Sequence, residues 1–218
     1  KLKSLRNQIG VVQQDVFLFA GTIKENNNKI THKIIPDRIE AFTYMCIGLN
    51  SKKLAIKNIE LHHLKAPLKY LKMAEAKFKI KKNSITIYKS DLKPINVYSN
   101  HYPDLSTDQM PLLYPIFMRV PGQSSFREDI YDERFSVCEE LKKTNADIKI
   151  DNKTIFINGK YLLKPSEFYP TDLRCAASLL IEGIINGNSV INNLNYLERG
   201  YDNIYKKLKK IGLKFKIK

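Results

Sequence analysis

From residue 35 onward the chain repeats one layout three times, and that repeat constrains its fold more than any other feature. Each unit opens with an aspartate at a helix start: Asp37 after Pro36, Asp108 after Thr107 and Asp172 after Thr171. A short carboxylate there can accept from the free N–H groups of a first turn. Apolar residues then recur at helical spacing over 39–49, 110–120 and 173–185. A short strand comes next, clearest at 53–57 and 189–192. A second, amphipathic helix follows, marked by Leu64, Leu68 and Leu71, then Phe135, Val137 and Leu141, then Ile204, Leu208 and Ile211. Each unit closes on a small residue and an alternating strand, at 76–80, 146–150 and 212–217. The first two units add a return strand at 84–88 and 154–157. Three β-α-β-α-β units, at about 35–95, 96–160 and 161–218, predict one α/β domain of pseudo-threefold symmetry.

In such a domain equivalent helices run parallel and point their N-termini the same way. Asp37, Asp108, Asp172, Arg174 and Arg199 would then gather near one rim. Arg174, two residues beyond Asp172, sets a guanidinium at a helix N-terminus, where anions bind. The Arg-Gly-Tyr stretch at 199–201 reads as the opening of a second helix built the same way. Capping accounts for Asp172 but not for two arginines at two helix starts.

A net charge of +15 suits nucleic acid or small phosphorylated ligands. The lysines are scattered along helix faces and strand exteriors, however, and no aromatic–basic stacking motif accompanies them, so no nucleic-acid partner is expected. No apolar run approaches a membrane span, and the first residues lack the apolar core of a signal peptide, so a cytoplasmic protein without a membrane partner is expected. Cys46, Cys138 and Cys175 stand far apart without metal-ligand spacing, and His62 and His63 lack further ligands nearby. Neither metal nor cofactor is expected, and Cys175 reads as a small core residue.

Residues 1–26 differ from the rest. A short apolar strand at 9–12, paired Gln13 and Gln14, and an apolar turn at 16–19 closely resemble the Q-loop segment of ABC transporter ATPase domains. An ATPase also needs a phosphate-cradling glycine-rich loop with its lysine and a carboxylate-bearing strand. Neither is present in the sequence, which excludes ATP hydrolysis by this chain. The polar seam at 26–29 marks a junction over 27–34, and the repeat domain occupies 35–218.

Five stretches in order carry a second resemblance: Ile-Pro-Asp-Arg-Ile-Glu at 35–40, Ser-Thr-Asp-Gln-Met at 106–110, Ile-Tyr-Asp-Glu-Arg-Phe at 130–135, Pro-Thr-Asp-Leu-Arg at 170–174 and Glu-Arg-Gly-Tyr at 198–201. Together they resemble the enolpyruvyl transferase family. They fit its UDP-N-acetylglucosamine 1-carboxyvinyltransferases better than its 3-phosphoshikimate 1-carboxyvinyltransferases. The resemblance covers about one of that family's two domains and implies one domain of an inside-out α/β barrel. It also implies transfer of the enolpyruvyl group of phosphoenolpyruvate to the 3′-hydroxyl of UDP-N-acetylglucosamine, the first committed step of peptidoglycan synthesis.

By that resemblance Asp108 is the candidate base and sugar-hydroxyl contact, with a helix cap as the alternative. Arg174 and Arg199 grip phosphoenolpyruvate, Asp172 orients its neighbours, and Ile130 and Tyr131 touch the sugar nucleotide. Arg134 matches a family position and serves equally well as a structural ion pair; Asp37 and Arg38 are further candidates. The family's other domain, with its mobile loop and reactive cysteine, has no counterpart in the sequence. The chain is therefore expected to hold half a site and to be inactive alone, unless another chain supplies the missing domain. The alternative is a non-catalytic α/β module that binds the sugar nucleotide weakly or not at all.

Overall fold

The computed structural model of the chain divides into two compact units, Lys1–Ile34 and Ile35–Lys218. Residues 34–160 and 162–217 are described here. The Q-loop-like reading of residues 1–26 lies outside them.

The first unit of the repeat holds helix α1 (Arg38–Gly48), strand β1 (Lys53–Lys57), a 3-10 turn (Leu61–Leu64) running into α2 (Lys65–Met73), and the hairpin β2 (Phe78–Lys81) and β3 (Ser84–Tyr88). The second begins with β4 (Asn96–Tyr98), a 3-10 turn (Met110–Leu113) and α3 (Tyr114–Phe117). It continues through β5 (Gly122–Arg127), a 3-10 turn (Asp132–Phe135) leading to α4 (Ser136–Lys142), and the hairpin β6 (Asp147–Asp151) and β7 (Thr154–Gly159). The third holds β8 (Glu167–Phe168), α5 (Leu173–Asn186), β9 (Val190–Ile191), α6 (Asn195–Gly200) and α7 (Ile204–Lys210).

The sheets follow the repeat. The first is antiparallel in the order β1-β3-β2; the second has the order β4-β5-β7-β6, so β5-β7-β6 reproduces it. β4 joins β5 in parallel, and β8 joins β9 in the same way one unit later. The predicted closing strand at 212–217 is absent: the residues described there follow α7 as a turn and irregular chain.

The three leading helices pack on one another inside, and the sheets lie outside them. α5 touches both α1 and the 3-10 turn at Met110–Leu113, and these two also meet. Small residues on α5 permit the approach: Ala176, Ala177 and Ser178 are fully buried, and Ser178 Oγ donates to the Pro111 carbonyl at 2.8 Å. Phe42 and Met45 of α1, Tyr114 and Phe117 of α3, and Leu179 and Ile181 of α5 fill the shared core. Each inward sheet face adds its alternating residues, Ile85 and Ile87 from β3 and Ile155 and Ile157 from β7.

The second leading helix is shorter than the apolar run at 110–120 suggests. Pro111 sits in its 3-10 turn and Pro115 near the start of α3, so two backbone donors are missing from the ladder. Regular helix survives for one turn. Arg119, just beyond, donates from Nη1 to Glu182 Oε2 at 2.6 Å and from Nη2 to Oε1 at 2.8 Å, fastening this stretch to α5.

Register also sorts charge. On the outward face of the first sheet Lys53, Lys57, Lys79 and Lys81 flank Ser84, Thr86 and Tyr88. On the matching face of the second sheet Asp147, Lys149 and Asp151 lie beside Thr154, Phe156 and Asn158. Four lysines thus share one sheet face.

Candidate active site

The three aspartates that open the repeats do two different jobs. Asp37 caps α1, its Oδ1 accepting from Ile39 N–H at 2.7 Å. Asp172 caps α5, accepting from the N–H groups of Arg174 at 2.6 Å and Cys175 at 3.1 Å. Asp108 caps nothing, which corrects the expectation of a third capped helix. Its unit starts with the 3-10 turn behind Gln109, which makes no side-chain cap.

Freed from capping, the Asp108 carboxylate takes two guanidiniums. Arg134 Nη2 donates to Oδ1, and Arg174 Nη2 donates to Oδ2 at 2.8 Å. Arg134 comes from the 3-10 turn of the second unit, where it also donates from Nε to Thr107 Oγ1 at 3.3 Å and lies 3.7 Å from Asp172 Oδ1. Arg174 comes from the first turn of α5. Both side chains are mostly enclosed, at 13% and 12% exposed, whereas Asp108 keeps 29% of its surface. Burial alone would pull the Arg174 guanidinium down. The hydrogen bond and charge of Asp108, backed by Tyr201 and Asp37, hold it above the ordinary arginine range.

The cap of one helix, the loop before another and a turn from the middle unit thus meet at one rim, with Asp37 in electrostatic reach. Arg199 does not stand at a helix start as expected. It lies in the last turn of α6 and is exposed, with no ion pair among the described residues. The Arg-Gly-Tyr stretch is shaped by packing on its other two residues. A Cβ on Gly200 would sit 2.3 Å from Leu173 Cδ2 at the foot of α5. Tyr201 is buried, and its hydroxyl lies 2.8 Å from Thr43 Oγ1 of α1, which itself donates to the Ile39 carbonyl.

Ile130 and Tyr131 both keep exposed surface beside this node. The Tyr131 ring lies under the Arg134 guanidinium, 4.7 Å from its carbon to the ring centre, and its hydroxyl donates to Glu133. Sequence reasoning missed what holds them: Glu128, buried at the end of β5, accepts from the N–H groups of both. The Arg38 guanidinium lies 5.2 Å over the Tyr102 ring, whose hydroxyl meets His63 Nδ1 at 2.7 Å. Cys175 is buried, and burial pushes its thiol up to about 11, far from a nucleophile's range. Among the described residues no cluster of His, Cys, Asp or Glu could hold a metal, and no helix is long and apolar enough to cross a membrane.

Chemically the node offers one partly open carboxylate, oriented by two guanidiniums, on a rim where a helix N-terminus faces out. A carboxylate so placed can accept a hydroxyl proton, and guanidiniums can hold a phosphate or carboxylate through their planar fork.

The sequence matches the family described as EPSP synthase (3-phosphoshikimate 1-carboxyvinyltransferase) over residues 2–208. The matched stretch includes most of the segment that reads as Q-loop-like. It is similar to the UDP-N-acetylglucosamine 1-carboxyvinyltransferase of Kosmotoga olearia, 34% identical over 88% of this chain and 47% of that protein. The Prochlorococcus marinus protein of that name is 36% identical over 84% of this chain and 41% of its own length. Among solved structures, the enolpyruvyl transferase NikO from Streptomyces tendae shares the fold at a TM-score of 0.74 and 24% identity, over 82% of this chain and 43% of that one. EPSP synthase from Acinetobacter baumannii does so at 0.68 and 17%, over 82% and 46%. The chain spans about half the length of the relatives it matches. The repeat, the helices-inside architecture and the sequence match agree: this chain belongs to the EPSP synthase family of enolpyruvyl transferases.

Proposed function

We propose that this chain supplies one half of an enolpyruvyl transferase acting on phosphoenolpyruvate and UDP-N-acetylglucosamine, in the cytoplasmic stage of peptidoglycan synthesis. The observation that carries the reading is the Asp108 carboxylate, partly open and held between Arg134 and Arg174. It is supported by the relatives' names, which specify 1-carboxyvinyl transfer to that sugar nucleotide.

In this reading the sugar 3′-hydroxyl lies against Asp108, which takes its proton as the oxygen bonds to C2 of the enolpyruvyl group. The C2–C3 double bond opens as C3 takes a proton from an acid on the opposite face, giving a tetrahedral adduct. Loss of a C3 proton then restores the double bond as the bond from C2 to the phosphate oxygen breaks, releasing inorganic phosphate. Arg174, and the exposed Arg199 once substrate is bound, hold the anionic carboxylate and phosphate. Asp172 keeps Arg174 in place through the helix cap, while Ile130 and Tyr131 form the wall for the nucleotide. The groups needed on the opposite face come from another polypeptide or another part of a longer one.

Phosphate release from phosphoenolpyruvate and UDP-N-acetylglucosamine tests this, with the chain alone and with a relative's complementary half added. Turnover that needs both halves and disappears in Asp108→Ala supports the reading. No turnover in the mixture, together with no binding of either substrate to the chain, leaves a non-catalytic α/β module.

A further inference from the structure

Glu128 follows the last residue of β5 and is fully buried, an expensive place for a carboxylate. Its backbone is anchored, the N–H donating to the Lys153 carbonyl at 2.8 Å. Its Oε1 accepts from Ile130 N–H at 2.8 Å and Tyr131 N–H at 3.1 Å, closing a tight turn in front of the 3-10 turn that carries Arg134. Its Oε2 is buried without a hydrogen-bond partner.

The hydroxyl of Tyr114, on the leading helix of the same unit, is likewise buried without a partner. Burial chiefly, then the charges of Cys138 and Glu128, push the Tyr114 phenol up, while Arg134 pulls it down. The two orphaned groups are also complementary, since the phenol has a proton to give and Oε2 has lone pairs to receive it.

We propose that Glu128 is the positioning residue of the 130–134 segment: its carboxylate sets the turn that places the Tyr131 ring under the Arg134 guanidinium and brings that guanidinium to Asp108. A serine or asparagine at the end of β5 could cap one N–H group of the turn. The Glu128 carboxylate holds two successive ones with a single oxygen, as Asp172 does at the start of α5, and so fixes the direction in which the chain leaves the strand. The ring of Tyr131 and the Nη2 of Arg134 inherit that direction. What ligand the positioned groups meet rests on the function proposed above, but the positioning itself does not.

Substrate-free hydrogen exchange on the full chain therefore tests it. Rates are read at the Ile130 and Tyr131 amides and at Arg134 Nε–H, with the Arg119 Nη protons, bonded to Glu182, as internal reference. Glu128→Ala is expected to speed exchange at those three sites by about tenfold or more while Arg119 is unchanged, as local opening requires. Glu128→Gln, which keeps an acceptor oxygen, is expected to restore protection to near the parent's level. If Glu128→Ala does not fold, Glu128→Met, of similar length but without an acceptor oxygen, is read the same way. Parent-like exchange at Arg134 in the variant, or equal loosening of Arg119, would overturn the assignment. Because no substrate is present, either outcome is separable from failure of the transferase reading.

Discussion

Two arginine–carboxylate sites in this molecule use the same chemistry to opposite ends. Between α3 and α5, Arg119 meets Glu182 through two parallel bonds and spends a further donor on the Pro115 carbonyl at 2.9 Å; Glu182 is 0% exposed. Every charge there is answered within the fold. At the rim a single carboxylate, Asp108, serves two guanidiniums and keeps a solvent-facing side. Arg174 finds no other side-chain acceptor among the described residues. A closed pair fastens helices; an open one leaves part of its carboxylate to solvent. The difference follows from geometry, because the first pair lies between packed helices and the second between loop ends.

The sharpest way to break this contrast is at the closed pair. Arg119→Ala strands a fully buried carboxylate and should cost about 3–5 kcal/mol in urea unfolding, the range for breaking a buried ion pair. Asp108→Ala should cost less, about 2–3 kcal/mol after discounting for its exposed side, while abolishing any turnover of the reconstituted enzyme. Equal losses at both positions would mean that the rim is as structural as the staple.

The caps give a smaller comparison. Asp172→Ala removes an acceptor for two N–H groups and a neighbour of Arg134, and should lower stability by about 1–2 kcal/mol. Asp37→Ala, with one N–H group to lose, should cost about 0.5–1 kcal/mol, and the reverse order would count against the cap assignments.

The smallest effect is alkaline. Burial first, offset in part by Thr43 and Arg174, leaves the Tyr201 phenol pushed up to about 12 from its ordinary 10. A raised pKa means that the fold favours the protonated form. Its stabilising share should be fully present below pH 10 and fade as pH rises through about 12. Ultraviolet titration of the parent against Tyr201→Phe checks this; an ordinary phenol lost in the variant would show that Tyr201 is not enclosed.

Much of the fold was legible in the chain because its signals are local. Apolar spacing marks α1 and α5, alternation marks β3 and β7, and an aspartate before an apolar run marks two real caps. Signals that depend on competition between local features misled. The run at 110–120 is apolar enough for a helix, but its two prolines cut the ladder and leave Asp108 with no first turn to cap. The Arg-Gly-Tyr stretch looks like a helix start, yet it is an end, because Gly200 must clear Leu173 and Tyr201 must reach Thr43.

By itself, then, the sequence determined the threefold plan, the elements and the residue types that can do the chemistry, since period and turn chemistry are written in neighbours along the chain. Only the tertiary structure decided that Asp108 meets Arg134 and Arg174 rather than a helix end, that Arg119 belongs to Glu182, and that Glu128 holds the turn beside them. The three ion pairs join residues 26, 63 and 66 positions apart, and the role of Glu128 turns on which buried oxygen finds a donor. Packing sets them, and no local pattern encodes it.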